Sequence, residues 1–104
     1  MKKVSKINCE NRAGFVQEFK VIWNGGESGW SDRYPNPQTE SFDLHTLNIP
    51  EGAEVWIKVH AILGKTKTAD EHVLYDPNSS DAAFYQTTGA TLTFKIKLMN
   101  QHIF

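Results

Sequence analysis

At 104 residues, with 39% hydrophobic and 22% charged side chains, the chain is long enough for one folded domain and short for two. Its formal net charge of −1 excludes nucleic-acid binding through a basic field, and its lone cysteine, Cys9, excludes an intrachain disulfide or a thiolate metal cage. No apolar run near Met1 has the form of a signal-peptide core, and none elsewhere is long enough for a membrane-spanning helix; the chain is therefore internal, exported without a leader, or a mature form.

Period-two patterning dominates from the start. After a solvated end carrying Lys2, Lys3 and Lys6, residues 4–8 form a short strand candidate. Over residues 15–23, Phe15, Gln17, Phe19, Val21 and Trp23 share one face, and Val16, Glu18, Lys20 and Ile22 share the other. That is a strand with one buried face, made impure by Gln17, and Trp23 reads as core. Asn24-Gly25-Gly26 then supplies the positive-φ residues of a tight hairpin. Residues 38–44 form another short strand, and residues 44–49 are compatible with a single helical turn.

The clearest alternation spans residues 53–63. Val55, Ile57, Val59, Ala61 and Leu63 point inward, while Glu54, Trp56, Lys58, His60 and Ile62 point outward. Gly64-Lys65-Thr66-Lys67-Thr68 reads as a flexible basic loop. Residues 72–75 and 83–87 are short strands, and residues 92–99 place Leu92, Phe94, Ile96 and Leu98 inward with Thr93, Lys95 and Lys97 outward. Turn chemistry at Pro35-Asn36-Pro37, Pro50-Glu51-Gly52, Asp76-Pro77-Asn78 and Thr88-Gly89 separates these segments. The pattern predicts an all-β fold: a two-layer antiparallel β-sandwich forming a single domain over residues 1–104.

Catalytic signatures do not accompany it. Gly25-Gly26 lacks the spacing and the following helix of a phosphate loop, no nucleophile elbow occurs, and Cys9 has no evident histidine partner. His45, His60, His72 and His102 form no short metal motif, although His60 and His72 could meet across strands. Asp76, Asn78 and Asp81 lack the central glycine and terminal glutamate of an EF-hand loop. A non-enzymatic binding protein is the expectation.

The segment from 29 to 37, Gly-Trp-Ser-Asp-Arg-Tyr-Pro-Asn-Pro, is the densest in recognition chemistry. Asp32 and Asn36 offer side-chain oxygens and Tyr34 a carbonyl, the ligands hard cations prefer. Trp30 and Tyr34 offer flat faces on which the C–H face of a sugar can stack. The same residue types also serve a plain reversal of the chain, so turn chemistry is the alternative reading. Trp56, on the polar face of its strand, is either a second aromatic contact or packing beneath a loop.

Asp32-Arg33-Tyr34-Pro35-Asn36 resembles the Asp-x-Tyr-Pro-Asn element of legume-type lectins. Trp30 stands where that family has an acid, and Ser41 where it has another, with Glu40 and Asp43 close by. The chain length, residues 52–60 and the close Gly89-Ala90-Thr91-Leu92 resemble small lectin-like sandwiches of the slime-mould hemagglutinin type. The resemblance implies a carbohydrate-binding lectin that recognises glycans of glycoproteins, with Trp30, Asp32, Tyr34, Asn36 and Trp56 as sugar contacts. It implies calcium as the cation and Asp32 and Asn36 as its side-chain ligands. It further implies an extracellular or cell-surface location, no membrane insertion, and a homo-oligomer for agglutination, since single-sugar affinity is low. Two other classes stand beside it: a membrane-interacting toxin-like sandwich with Trp30, Tyr34 and Trp56 as an interfacial belt, and a cytoplasmic protein-binding module.

Overall fold

The structure is a computed structural model that describes residues 1–99. In chain order its strands are β1 (Lys3–Val4), β2 (Lys6–Ala13), β3 (Gln17–Trp23), β4 (Gly26–Glu27), β5 (Thr39–Asp43), β6 (Glu54–Ala61), β7 (Thr66–Thr68), β8 (Val73–Tyr75), β9 (Ala82–Gly89) and β10 (Lys95–Met99). A 3-10 turn at Leu44–Thr46 occupies the place where one helical turn is expected, with the Asp43 side chain accepting from the His45 amide. His102 lies outside the described residues.

One sheet runs β1-β8-β6-β3-β4, with β7 also pairing to β6, and the other runs β10-β9-β2-β5. The all-β sandwich predicted from alternation is thus present. Most pairings are antiparallel, but β1 pairs with β8 and β2 with β9 in parallel, so both sheets are mixed. Those two pairings join segments far apart in sequence, where a long return allows the parallel direction that a tight hairpin forbids.

The core follows the apolar phase of each strand. Val55, Ile57, Val59 and Ala61 of β6 are fully buried, facing Ile7 and Cys9 of β2 and Ala83 and Tyr85 of β9. Each large apolar side chain removed from water in this way stabilises the fold by about 1.5–3 kcal/mol. Phe19 and Val21 are buried as expected, and Trp23 packs partly buried against the same cluster.

Gln17, the impurity on the apolar face of β3, is fully buried because its amide has partners. Its Nε2 donates to the Tyr34 hydroxyl at 2.7 Å, its Oε1 accepts from Thr87 at 2.5 Å, and the Tyr34 hydroxyl donates to the Cys9 carbonyl at 2.9 Å. Fully paired polar groups of this kind fix the register of both sheets.

Besides the expected strand over residues 4–8, which is split into β1 and a β2 that runs on to Ala13, local structure departs from expectation in two further places. Thr66–Thr68 is a strand rather than a loop, because its β-branched residues pair with Lys58, Val59 and His60 of β6. The inward alternation also fails at its ends: Leu63 lies beyond β6 and Leu92 before β10, and both are exposed. Parity dictates the facing of a side chain only while the backbone stays extended.

Candidate functional site

The turns that carry Leu63 and Leu92 are joined at one end of the sandwich. The turn after β6 is tied to the β2–β3 connection by Ile62 N–H donating to the Val16 carbonyl at 2.9 Å. It is tied to the β9–β10 connection by Lys65 N–H donating to the Thr91 carbonyl at 3.1 Å. Gly14 N–H donates to the Gly89 carbonyl at 2.9 Å and closes the third side. Three loops are therefore joined by backbone bonds, and each carries an apolar side chain into solvent: Val16 is 41% exposed, Leu63 97% and Leu92 61%.

Close packing holds this end rigid. A Cβ on Gly64 would stand 2.8 Å from Thr91 Cβ and from the Thr91 carbonyl oxygen, so only glycine lets the two loops touch. Beneath them the Phe15 and Phe94 rings pack edge to face at 5.1 Å. Leu63 itself sits at φ 67°, a left-handed conformation that costs a non-glycine residue about 1–2 kcal/mol. A large apolar residue held out in water on a strained backbone gains the fold nothing, which makes the position a candidate for a contact outside the chain.

The structure takes Tyr34 out of the sequence-predicted recognition loop. Tyr34 is 1% exposed and points into the core, so it is neither a sugar platform nor a membrane belt residue. Its hydroxyl is committed to Cys9 and Gln17, and burial raises its pKa. Its carbonyl accepts from Gln17 N–H at 3.0 Å and from Asn11 Nδ2 at 3.1 Å, leaving neither lone pair for a cation. Asn36 Nδ2 donates to the Ala13 carbonyl at 3.1 Å, and Asp32 is exposed. The Tyr34 carbonyl, which the resemblance offers to calcium, holds the chain together instead. Among the described residues no group of three or more His, Cys, Asp or Glu side chains could hold a metal ion.

Trp30 and Trp56 do reach the surface, on the outer face of the sheet containing β3 and β6. Each ring has company. Lys20 Nζ lies 4.4 Å from the Trp30 ring centroid while bonding Glu27 at 3.0 Å, and His60 lies 5.9 Å from the same ring. Trp56 stacks on His72 at 4.2 Å and 12°. His60 and His72 do not meet: His60 Nδ1 lies 2.8 Å from Glu18 Oε2, and His72 Nδ1 lies 2.9 Å from Glu54 Oε1. The two tryptophans are thus backed by neighbours on this face, and Tyr34 is not among them. Cys9 is fully buried, and desolvation pushes its thiol up to about 12, so it is no nucleophile.

Sequence reasoning missed the apolar end because alternation assigns Leu63 and Leu92 to the core. Leu63 precedes Gly64 and Leu92 follows Gly89 by three residues, but a turn glycine alone does not say on which side of it strand parity lapses.

No protein-family model matches the chain, and no curated protein matches it. Solved structures do. The membrane-binding domain of pneumolysin matches with a TM-score of 0.50 at 15% identity, over 95% of this chain and 98% of that domain. A Gram-negative toxin matches with a TM-score of 0.52 at 14% identity, over 94% of this chain and 23% of the toxin. Listeriolysin O matches with a TM-score of 0.50 at 17% identity, over 94% of this chain and 22% of that protein. The chain thus spans about a quarter of the whole toxins, and at these identities the likeness is one of fold. It overturns the lectin and hemagglutinin assignment, whose short loop match lies in a segment that the tertiary structure uses for packing. The β-sandwich of this chain is the fold found in toxins and in the membrane-binding domain of one of them.

Proposed function

We propose that this chain is a membrane-surface-binding module, which docks by pressing Val16, Leu63 and Leu92 into the interface of a bilayer. The observation that carries the reading is the exposure of these side chains at one rigid end of the sandwich. Water disfavours such a display, whereas the boundary between headgroups and acyl chains accepts it. The strands stay hydrogen-bonded to one another, so docking inserts loop tips without unfolding the sheets.

The fold shared with a domain described as membrane-binding supports the same reading. It replaces the expectation of glycan partners without membrane insertion. The module acts from outside the target cell and needs no chemistry of its own, in keeping with the absence of catalytic motifs from the sequence.

The test is co-sedimentation of the purified chain with phosphatidylcholine vesicles. Binding is expected for the unaltered chain and is expected to vanish in the Leu63→Asp, Leu92→Asp double variant, with the thermal melt retained. Undiminished pelleting of that variant would overturn the assignment of this end.

A further inference from the structure

Charge is distributed unevenly about the apolar end. Residues 12–17, 61–68 and 88–95 contain Arg12, Lys65, Lys67 and Lys95, whereas all twelve acidic residues lie elsewhere in a chain of net charge −1. Arg12 is spoken for by Glu10 at 2.9 Å, while the three lysines surround the side where β7 and β10 form the open edges of their sheets.

Between those edges lies a cleft of about 240 Å³ lined by Lys67, Thr68, Asp70, Lys95 and Ile96. Its walls are held in place. Lys67 Nζ donates to the Phe94 carbonyl at 2.9 Å and lies 5.7 Å from the Phe94 ring centroid, which fixes the ammonium while leaving two of its hydrogens unused. Glu71 closes the neighbouring wall, its Oε1 accepting from Leu98 N–H at 2.9 Å and its carbonyl from the Tyr85 hydroxyl at 2.6 Å. Lys95 follows Leu92 by three residues and Lys67 follows Leu63 by four. Both lysines therefore stand near the loop-bearing end, set back from its apolar tips along β7 and β10. When the tips reach the acyl boundary, a cleft set back from them faces the headgroups.

We propose that this cleft recognises a phosphoserine headgroup, with Lys67 and Lys95 taking its phosphate and carboxylate and Asp70 its ammonium. The inference rests on the membrane reading and specifies the lipid. Two cations and one anion in the cleft mirror the two anions and one cation of that headgroup. Phosphatidylglycerol offers a phosphate without the other two groups, and phosphatidylcholine offers an ammonium that cannot donate a hydrogen bond. The Thr68 hydroxyl adds a donor to the phosphate.

Co-sedimentation at equal mole fraction of added lipid is expected to rank phosphatidylserine above phosphatidylglycerol, and both above phosphatidylcholine alone. Lys95→Gln is expected to weaken binding to phosphatidylserine vesicles roughly fivefold, the equivalent of about 1 kcal/mol for one basic residue at an anionic surface. Asp70→Asn is expected to bring phosphatidylserine and phosphatidylglycerol to parity. Equal binding to all three vesicles would overturn the cleft and leave the apolar docking intact, whereas no binding to any vesicle would remove the membrane reading itself. An unchanged lipid preference in Asp70→Asn would overturn the ammonium contact. Saturable binding of free O-phosphoserine without any vesicle preference would assign the cleft to a soluble ligand and overturn the lipid assignment.

Discussion

Replacing Leu63 by glycine should move stability and membrane affinity in opposite directions. Leu63 is 97% exposed at φ 67°, so its side chain adds little to the core while its backbone is strained. Glycine removes a penalty of about 1–2 kcal/mol, partly offset by its greater freedom in the unfolded chain, for a net gain of about 1 kcal/mol. In a domain of this size that raises the melting temperature by roughly 4–8 °C. The same change deletes four side-chain carbons, each worth about 0.8 kcal/mol on leaving water, so the loss in binding approaches about 3 kcal/mol, or roughly 100-fold in partitioning. Thermal denaturation followed by circular dichroism reads the first quantity, and vesicle co-sedimentation across a lipid titration reads the second. A lower melting temperature would refute the strain argument, and binding within about threefold of the unaltered chain would refute the placement of Leu63 in the bilayer. Leu92, 61% exposed, and Val16, 41% exposed, should follow as alanine variants with smaller losses in that order.

Tyr34→Phe removes the hydroxyl that donates to the Cys9 carbonyl and accepts from Gln17, so it should cost about 1–3 kcal/mol in urea denaturation by leaving buried polar groups unpaired. His45 titrates above its ordinary 6.5 because the Pro77 carbonyl and the Asp43 carboxylate accept from its ring, and Asp43 titrates below its ordinary 3.8 because of His45. The histidine's contribution to stability is therefore complete below pH 6.5 and is lost as pH rises through its folded value. The carboxylate's contribution is present above pH 3.8 and is lost as pH falls through its own. Asp43→Asn should shift the His45 midpoint downward in an NMR titration; an unmoved midpoint would disprove the pairing. The Cys9 thiol, fully buried and raised to about 12, should resist a thiol reagent at neutral pH and react readily in denaturant. Equal rates in both states would contradict that burial.

How much was legible beforehand depends on whether a feature is periodic or convergent. The buried phases of β3 and β6 could be read directly, because an extended chain turns alternate residues to opposite faces and apolar residues on one phase must find a core. The helical turn near residue 44 was also visible, since Asp43 precedes it with the right capping chemistry. By contrast, Tyr34 has the same composition whether it caps a sugar pocket or fills a core. Only the arrival of Gln17, Cys9 and Asn11 around it decides the matter.

The apolar end belongs to the second kind. Val16, Leu63 and Leu92 lie in three connections separated by dozens of residues, and no local pattern distinguishes an inward leucine at a strand end from an outward one just past it. The amino-acid sequence by itself determined that this chain forms two packed sheets, because alternation and turn residues are local and the long strands carry them. The tertiary structure alone decided which apolar residues stay in solvent at one end, because that depends on where each strand stops and on which loops the backbone bonds at Val16, Ile62, Lys65 and Thr91 draw together.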